Sequence, residues 1–561
     1  MDDPRLSQPV YPETIVEDLE ITTSDGVILK ARVLRPRVPE GTRIPAIMHL
    51  SPYLGHAIDP ALILPDLQKH KYVERGYALV GVSVRGSGAS GGCVDYQGLR
   101  DRADVDPILN TIVGQPWSNG LIGGIGLSWD GTTLNAAALS GNPHLATIVP
   151  AAAITDWYQW SFIHGIPGWY VGYMFNLYAP AVVWLVTGGV ATGAGIPTPE
   201  EIEGRACLDA VDPMVTQARS AVTGVRDEWW DERDMVRYAD QIDPDLAVLQ
   251  VQGSLDIGVR PDQLHRWDQR LREILPNYRL VFGSWGHLWP DTPDIPAFDN
   301  PDLEFNRHPL NSWSVILLRW FDHWLKGTDT GIMEMPGALV QDHLGQWHEE
   351  DALEPSRAIT TRFYPSDDGT LASDPVQGRT SFVDNGLGVD PRGACFYVGV
   401  GWILGCAPAQ PATAQFFETA PYEEETRFSG VGTVRLQLSH SAPHGRVGVT
   451  VYDINGEKWK PVTYGYSSLN LRDGNEYDFQ PITPGEVFTH EVELIARDFV
   501  LPSGHRLGIA IGSQVDMNPR GLGGNGFAPI PSGGVTELEL GPETVIELDL
   551  LPGKTPLIAI P

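Results

Sequence analysis

The chain has 561 residues, which is too many for one hydrophobic core and predicts two or three domains. A hydrophobic content of 42% with 20% charged residues is ordinary for a globular protein and argues against a disordered chain. The net charge of -32 repels phosphate backbones and anionic headgroups, so we expect neither nucleic-acid nor membrane partners, although solubility alone explains most of this charge.

The N-terminal residues Met-Asp-Asp-Pro-Arg lack the basic region and the apolar run of a signal peptide. We therefore expect the chain as given to be cytoplasmic, with a secreted mature form as the alternative. Four cysteines are too few for a disulfide framework, although Cys395 and Cys406 could pair across a hairpin. No cysteine has the spacing of a zinc site.

The first half of the chain alternates short apolar runs with amphipathic stretches. The apolar runs, which we expect to be strands, are 46–50, 78–82, 121–125, 146–150, 247–252 and 278–282. The amphipathic stretches, which we expect to be helices, are 61–74, 96–113 and 262–274. Such alternation predicts a doubly wound, mostly parallel α/β sheet with helices on both faces.

An aromatic segment without Asp, Glu, Lys or Arg interrupts this alternation at residues 157–199. In its best window for a membrane span, 177–196, Pro180, four glycines and the lack of basic flanks argue against such a span. We interpret residues 156–235 as a helical cap, inserted into a catalytic domain formed by 1–155 and 236–350. The candidate substrate contacts are four aromatic residues of this cap and an acid at its border: Trp157, Trp160, Phe162, Trp169 and Asp156.

After about residue 355, short alternating or β-branched runs are separated by Gly, Pro, Asn and Asp. These runs are 434–439, 447–453, 488–494, 506–511 and 545–550. Their spacing predicts an all-β sandwich or jelly-roll domain over residues 356–561.

The most informative segment is Gly126-Leu-Ser128-Trp-Asp-Gly131, which follows an apolar run and precedes a series of small residues. The α/β-hydrolase fold places its nucleophile on such a strand-to-helix turn, flanked by glycines because a Cβ there would collide with neighbouring backbone. The segment departs from Gly-x-Ser-x-Gly, since Asp130 precedes the second glycine. A serine here could be an ordinary helix N-cap, but its place after the third strand favours a nucleophile.

An acid and a histidine follow two later strands, in the order that this fold uses. Asp256 comes directly after 247–252, and His287 comes directly after 278–282. A serine needs a base, and the base needs an orienting carboxylate, so Ser128, Asp256 and His287 form the predicted catalytic triad. The alternative acid, Asp262, begins a helix and resembles a cap.

The tetrahedral intermediate needs two donors for its oxyanion. The backbone N–H of Trp129, directly after the nucleophile, is one of them. The other should come from the loop after 46–50, where Tyr53 lies. By spacing alone, Tyr53 could equally be a packing aromatic.

Several motifs together resemble the family of X-Pro dipeptidyl-peptidases and cocaine esterases. They are Ser24-Asp-Gly, Ser51-Pro-Tyr53, Val84-Arg-Gly-Ser-Gly (with Ser83 in place of the usual Asp), Gln115-Pro-Trp-Ser-Asn-Gly120, the Ser128 segment, Trp320-Phe-Asp-His-Trp-Leu-Lys-Gly327 and Ser503-Gly-His-Arg-Leu507. This resemblance spans nearly the whole chain. It implies an α/β-hydrolase domain with the predicted triad, a helical cap, a C-terminal jelly roll, and an oxyanion hole formed by Tyr53 and the Trp129 N–H. It implies no metal or organic cofactor.

The resemblance also implies a serine hydrolase that cleaves an ester or amide through an acyl-enzyme. The first interpretation is an X-Pro dipeptidyl-peptidase, and the alternative is a carboxylesterase, amidase or acyltransferase for a bulky hydrophobic acyl group. An intact triad argues against a non-catalytic binding module. An exopeptidase must bind a substrate ammonium, for which the candidates are the acids at the borders of the cap: Asp156, Asp227, Glu228, Asp231 and Glu232. The expected partner is a small-molecule or peptide substrate, and the sequence leaves a homo-oligomer open.

Overall fold

The computed structural model describes residues 5–55, 58–167, 224–256, 258–290, 313–384, 414–513 and 532–552. Most of the predicted cap, 168–223, therefore lies outside the described residues, as do Trp169, Cys395 and Cys406. Cys93 is described, and it is disulfide-bonded.

A ten-stranded sheet forms the centre of the first part of the chain. The strands of this part are β1 (Thr14–Thr22), β2 (Ile28–Pro36), β3 (Ile44–Ser51), β4 (Ala78–Ser83), β5 (Ser118–Leu127), β6 (Leu145–Ala151), β7 (Phe162–Ile163), β8 (Ile166–Pro167), β9 (Ala247–Gly253), β10 (Tyr278–Gly283), β11 (Ala338–Gln341) and β12 (Trp347–Glu350). The sheet order is β1-β2-β4-β3-β5-β6-β9-β10-β11-β12, while β7 and β8 pair separately. Strands β4 to β11 of this order pair in parallel, so their carboxyl ends meet at one edge.

Helices cover both faces of this sheet. The helices of this part of the chain are α1 (Pro65–Lys69), α2 (Leu99–Ala103), α3 (Val105–Val113), α4 (Trp129–Ala138), α5 (Trp157–Ser161), α6 (Glu228–Glu232), α7 (Asp262–Ile274) and α8 (Trp313–Lys326), with short 3-10 turns at Pro60–Leu62, Met235–Gln241 and Ile332–Glu334. A further 3-10 turn, Arg472–Gly474, lies in the C-terminal part. Leu109, Leu134 and Leu264 pack α3, α4 and α7 on one face, and Leu67 and Trp320 pack α1 and α8 on the other. The predicted doubly wound α/β architecture is confirmed. No helix of the described residues is long and apolar enough to cross a membrane.

Two predicted helices are shorter than expected. The stretch 61–74 contains α1 but no longer helix, because Leu64 (φ 48°) and Lys71 (φ 60°) adopt the left-handed conformation that interrupts a helix. The stretch 96–113 contains α2 and α3 and begins late, since Tyr96 also has a positive φ of 50°. The third predicted helix is confirmed as α7.

The C-terminal part is built of strands packed in two layers. Its strands are β13 (Ile359–Pro365), β14 (Leu371–Ala372), β15 (Gly378–Val383), β16 (Ala414–Glu418), β17 (Thr426–Gly430), β18 (Thr433–His440), β19 (Arg446–Asn455), β20 (Lys458–Ser468), β21 (Val487–Glu493), β22 (Arg497–Leu501), β23 (Arg506–Gly512), β24 (Val535–Leu540) and β25 (Val545–Pro552). A nine-stranded sheet faces the four-stranded sheet β16-β23-β19-β20. Side chains from both sheets, including Leu436, Val449 and Ile509, share one core, which confirms the predicted all-β sandwich.

A buried ion-pair network joins the two parts of the chain. Arg427 on β17, only 2% exposed, pairs with Glu350 at the end of β12 at 2.5 Å. The same guanidinium pairs with Asp498 on β22 at 2.6 Å. Because a buried charge is costly without its partner, the sandwich and the α/β part depend on each other at this contact.

Candidate active site

The chain turns sharply between β5 and α4 at Ser128, which has φ 64° and ψ -128°. Such a positive φ costs free energy in a non-glycine residue and marks a strained turn. A Cβ added at Gly126 would lie 2.4 Å from the backbone of Asp130, and one at Gly131 would lie 2.7 Å from the Ala151 carbonyl oxygen. Both glycines are therefore required for the close approach that raises Ser128 at the carboxyl edge of the sheet.

Asp256 lies in the loop after β9 and holds the imidazole of His287. Its Oδ2 accepts a hydrogen bond from His287 Nδ1 at 2.8 Å, which assigns a proton to Nδ1. Its Oδ1 accepts hydrogen bonds from the backbone N–H groups of Gly258 at 2.7 Å and Val259 at 2.9 Å. A Cβ added at Gly258 would lie 3.2 Å from His287 Cγ, so the glycine lets this loop close against the ring. The carboxylate is thus fully buried and fixed in orientation.

Ser128, His287 and Tyr53 line one cavity of about 650 Å³, which we call the Ser128 cavity. Apolar side chains near α1 and α8 form much of its wall: Leu64, Leu67, Trp289, Trp313 and Leu317. Burial alone would lower the pKa of His287, but the charge and the hydrogen bond of Asp256 raise it above its ordinary value of 6.5. The arrangement therefore supplies a base whose basicity is increased by a buried acid.

Trp129 and Tyr53 lie beside the nucleophile turn. Trp129 is the first residue of α4, where backbone N–H groups point out of the helix start. The ring of Tyr53 meets the ring of Trp129 edge-on, with centroids 6.3 Å apart. Ser51 Oγ accepts a hydrogen bond from the Tyr53 N–H at 3.0 Å and holds this loop. The part of both residues in an oxyanion hole stays a prediction.

The cap aromatics predicted to contact substrate are buried instead. Trp157, Trp160 and Phe162 are 1%, 2% and 0% exposed, and none of them lines the Ser128 cavity. The ring of Trp157 packs 5.9 Å from that of Trp129, and Trp160 Nε1 donates a hydrogen bond to the Gly258 carbonyl at 2.8 Å. Trp157 and Trp160 thus pack against Trp129 and the loop of Asp256, and this burial does not support the prediction that they contact substrate.

Asp156 is also engaged within the protein. Its Oδ1 accepts a hydrogen bond from the Tyr158 N–H at 2.9 Å, which caps α5. Its Oδ2 pairs with Arg226 and, at 3.3 Å, with Arg266. Two guanidinium groups already balance this carboxylate, which is 2% exposed. The prediction that Asp156 binds a substrate ammonium is therefore not supported by its surroundings, and it anchors the base of the cap.

The other acids considered in the sequence do not line the Ser128 cavity either. Asp227 caps α6 by accepting a hydrogen bond from the Trp229 N–H at 3.0 Å, and Glu228 follows it on the exposed surface. Asp262 begins α7 and pairs with Arg260 at 3.1 Å, away from His287.

Within the described residues, no group of His, Cys, Asp and Glu is arranged to hold a metal ion.

Sequence reasoning missed the contact between the cap base and the C-terminal sandwich. Arg226 Nε donates a hydrogen bond to Glu476 Oε2 at 2.9 Å, and Gln159 Nε2 donates to Glu476 Oε1 at 2.6 Å. The two charged partners are 250 residues apart in the chain, so no local pattern signals their contact. Through Arg226, the sandwich supports the start of the predicted cap, where Asp156, Trp157 and Trp160 lie.

Comparisons with known proteins agree along most of the chain. A family model described as X-Pro dipeptidyl-peptidase (S15 family) matches residues 25–289, and one described as X-Pro dipeptidyl-peptidase C-terminal non-catalytic domain matches residues 330–519. A protein assigned as an Xaa-Pro dipeptidyl-peptidase in Streptomyces avermitilis is 26% identical over 92% of this chain and 82% of its own length. One assigned as a serine esterase in Mycobacterium tuberculosis is 25% identical over 91% of this chain and 92% of its own.

Two solved structures share the fold over nearly the whole chain. A CocE/NonD family hydrolase from Staphylococcus aureus has a TM-score of 0.73 at 16% identity, covering 96% of this chain and 94% of its own. An α-amino acid ester hydrolase has a TM-score of 0.70 at 19% identity, covering 98% of each chain. The two family models cover both parts of the architecture, and the first contains Ser128, Asp256 and His287; the chain therefore belongs to the X-Pro dipeptidyl-peptidase (S15) family of serine hydrolases.

Proposed function

We propose that this serine hydrolase removes Xaa-Pro dipeptides from peptides with a free N terminus, through an acyl-enzyme on Ser128. The observation that carries the proposal is the hydrogen bond of His287 Nδ1 to Asp256, with His287 and Ser128 on one cavity. The names of several relatives, including the Streptomyces avermitilis protein, support this substrate class.

In the first half of the proposed reaction, Ser128 Oγ attacks the carbonyl carbon after the proline and His287 Nε2 takes the serine proton. The carbonyl electron pair moves onto the oxygen, which accepts hydrogen bonds from the Trp129 N–H and the Tyr53 hydroxyl. His287 then returns the proton to the leaving amine, and the carbon–nitrogen bond breaks. Asp256 stays ionised throughout and stabilises the imidazolium.

In the second half, water attacks the acyl-enzyme and gives its proton to His287. The same oxyanion donors stabilise the second tetrahedral intermediate. His287 protonates Ser128 Oγ as the ester bond breaks, and the dipeptide leaves with a carboxylate. An alcohol or amine in place of water would give acyl transfer by the same steps.

The pH dependence of kcat/KM should report the raised pKa of His287. The free enzyme needs a neutral imidazole as base, so activity is lost when the imidazole is protonated at low pH. Because Asp256 raises this pKa above 6.5, we expect kcat/KM to rise with pH through a transition that lies above pH 6.5. A pH profile on a neutral ester, whose own charge does not change, measures it. An acidic limb centred below pH 6.5 would contradict the described geometry.

A carboxylesterase for a hydrophobic acyl group is the second candidate function. The apolar wall of the Ser128 cavity favours it, because Leu67, Trp313 and Leu317 would bury acyl carbon atoms from water. The Mycobacterium tuberculosis relative assigned as a serine esterase agrees with this alternative.

Three substrates separate the two candidates by their kcat/KM values. They are Ala-Pro 4-nitroanilide with a free amine, its N-acetyl counterpart and 4-nitrophenyl butyrate. For an exopeptidase, acetylation should lower kcat/KM by about 100-fold or more, since a bound ammonium loses its charged partner, at a cost of roughly 3 kcal/mol. For an esterase, both anilides should be equally poor substrates and the butyrate ester should be turned over well. That second pattern would reject the exopeptidase.

A further inference from the structure

A second histidine–carboxylate pair lies on the Ser128 cavity. Asp130, two residues after the nucleophile, and His49, on β3, both line this cavity. His49 Nε2 and Asp130 Oδ2 are 2.7 Å apart. Asp130 Oδ1 and His49 Nδ1 have no hydrogen-bond partner among the described residues. The triad does not use this pair, so its role in the cavity requires another explanation.

The surroundings of Asp130 differ from those of Asp156, the acid that the sequence favoured. Asp156 is balanced by Arg226 and Arg266, whereas no arginine or lysine of the described residues pairs with Asp130. The side chain of Asp130 retains 13% exposure and that of His49 retains 11%. Asp130 is therefore a partly enclosed carboxylate, and within the described part of the chain its side chain contacts one polar group, the imidazole of His49.

Such a carboxylate costs free energy in a cavity whose walls are largely apolar. A carboxylate takes several hydrogen bonds when ionised, and leaving one oxygen unsatisfied forfeits its hydration. Oδ1 is itself buried, whereas Oδ2 has a second lone pair beside its contact with His49. A cation in the cavity that donates an N–H group to this carboxylate would balance its charge. The other acid on this cavity, Asp66, is already exposed in the first turn of α1 and has no such need.

We propose that Asp130, held by His49, is the residue that binds the substrate ammonium group and sets the preference for a free amine. The inference rests on the proposed function, because it assigns the ammonium contact of the same site. Asp130 follows Ser128 on the first turn of α4 and lines the same cavity, so a short acyl group on Ser128 can extend toward its carboxylate. His49 is a positioning residue that fixes the carboxylate from the neighbouring strand.

The test compares substrates with free and acetylated amines in Asp130→Asn and in the wild type. The measured quantity is the ratio of kcat/KM for the free amine to kcat/KM for its acetylated counterpart, on Ala-Pro 4-nitroanilide and on alanine 4-nitrophenyl ester. All enzyme concentrations are set by titration with a fluorophosphonate, so that misfolded protein does not count. The ratio should fall by about 30-fold or more in Asp130→Asn, because the amide carries no charge to attract the ammonium.

The control is Asp66→Asn, which removes the same charge from the exposed acid of the same cavity and should leave the ratio unchanged. Asp130→Glu should restore part of the ratio, since it keeps the charge. An unchanged ratio in Asp130→Asn would overturn the inference while the exopeptidase proposal stands. If the wild type prefers free amines on the ester but does not cleave the anilide, the exopeptidase proposal is rejected. The ratio on the ester in Asp130→Asn then decides whether Asp130 binds the ammonium. A wild type without preference on either substrate would reject both.

Discussion

Replacing Ser128 by alanine should lower kcat/KM for any ester or peptide substrate by about 10⁶-fold. The variant lacks the oxygen that attacks the carbonyl, while His287, Asp256 and the oxyanion donors remain. Alanine loses only one atom, and the strained turn is held by the close packing at Gly126 and Gly131, so the fold should persist. Circular dichroism and thermal unfolding check that persistence beside the kinetic assay.

Covalent labelling locates the nucleophile independently of the rate. A fluorophosphonate should modify Ser128 and no other serine, as read by peptide mass spectrometry. Ser140→Ala is a matched control, because Ser140 lies just beyond the other end of α4, where its Oγ donates a hydrogen bond to the Ala137 carbonyl at 2.8 Å and accepts one from the Asn142 N–H at 3.3 Å. That variant should label and react like the wild type. Labelling that survives Ser128→Ala would place the nucleophile elsewhere.

Asp256→Asn should reduce kcat by about 10⁴-fold. The asparagine oxygen can keep the hydrogen bonds from Gly258 and Val259, so its amide NH₂ must then face His287. Two donors would meet at that contact, and the imidazole would move its proton to Nε2, where it cannot accept the Ser128 proton. The effect is therefore on the tautomer of the base and only slightly on the structure of the loop.

The control for this variant is Asp262→Asn, which changes the alternative acid. Asp262 pairs with Arg260 and does not contact His287 in the structure, so kcat should change little. In Asp256→Asn the acidic limb of the pH profile should also move to lower pH, because the carboxylate that raises the pKa of His287 is gone. A large loss in Asp262→Asn with a small one in Asp256→Asn would reassign the acid.

The parallel strands and the order of the triad are predictable because their causes are local. Buried parallel strands read as continuous apolar runs, and catalytic side chains follow directly after their carboxyl ends. Ser128, Asp256 and His287 each stand immediately after such a run. The shortened helix at α1 could not be predicted in this way. The left-handed conformation of Leu64 depends on its packing, and no glycine at this position indicates it in the sequence.

The roles of the cap residues could not be predicted because they depend on distant partners. An aromatic segment without charges has the same composition whether it lines a cavity or packs as a core. The Trp160 side chain is held by its hydrogen bond to the Gly258 carbonyl, 98 residues away. The Asp156 carboxylate is held by its ion pair with Arg226, 70 residues away. Asp130 was visible only as a departure from the usual glycine pattern, and its contact with His49 spans 81 residues.

The ion pairs between the two domains limit how this chain can recombine with its relatives. A crossover between β12 and β13 would separate Glu350 from Arg427, and it would also separate Arg226 from Glu476. A hybrid whose new domain lacks the matching charge would remove one partner from each of these buried arginines. Arg427 would keep Asp498 and Arg226 would keep Asp156, but the charge balance around each buried guanidinium would be lost, which costs free energy. Exchange of either domain alone should thus be selected against, and the two domains descend together as one heritable unit.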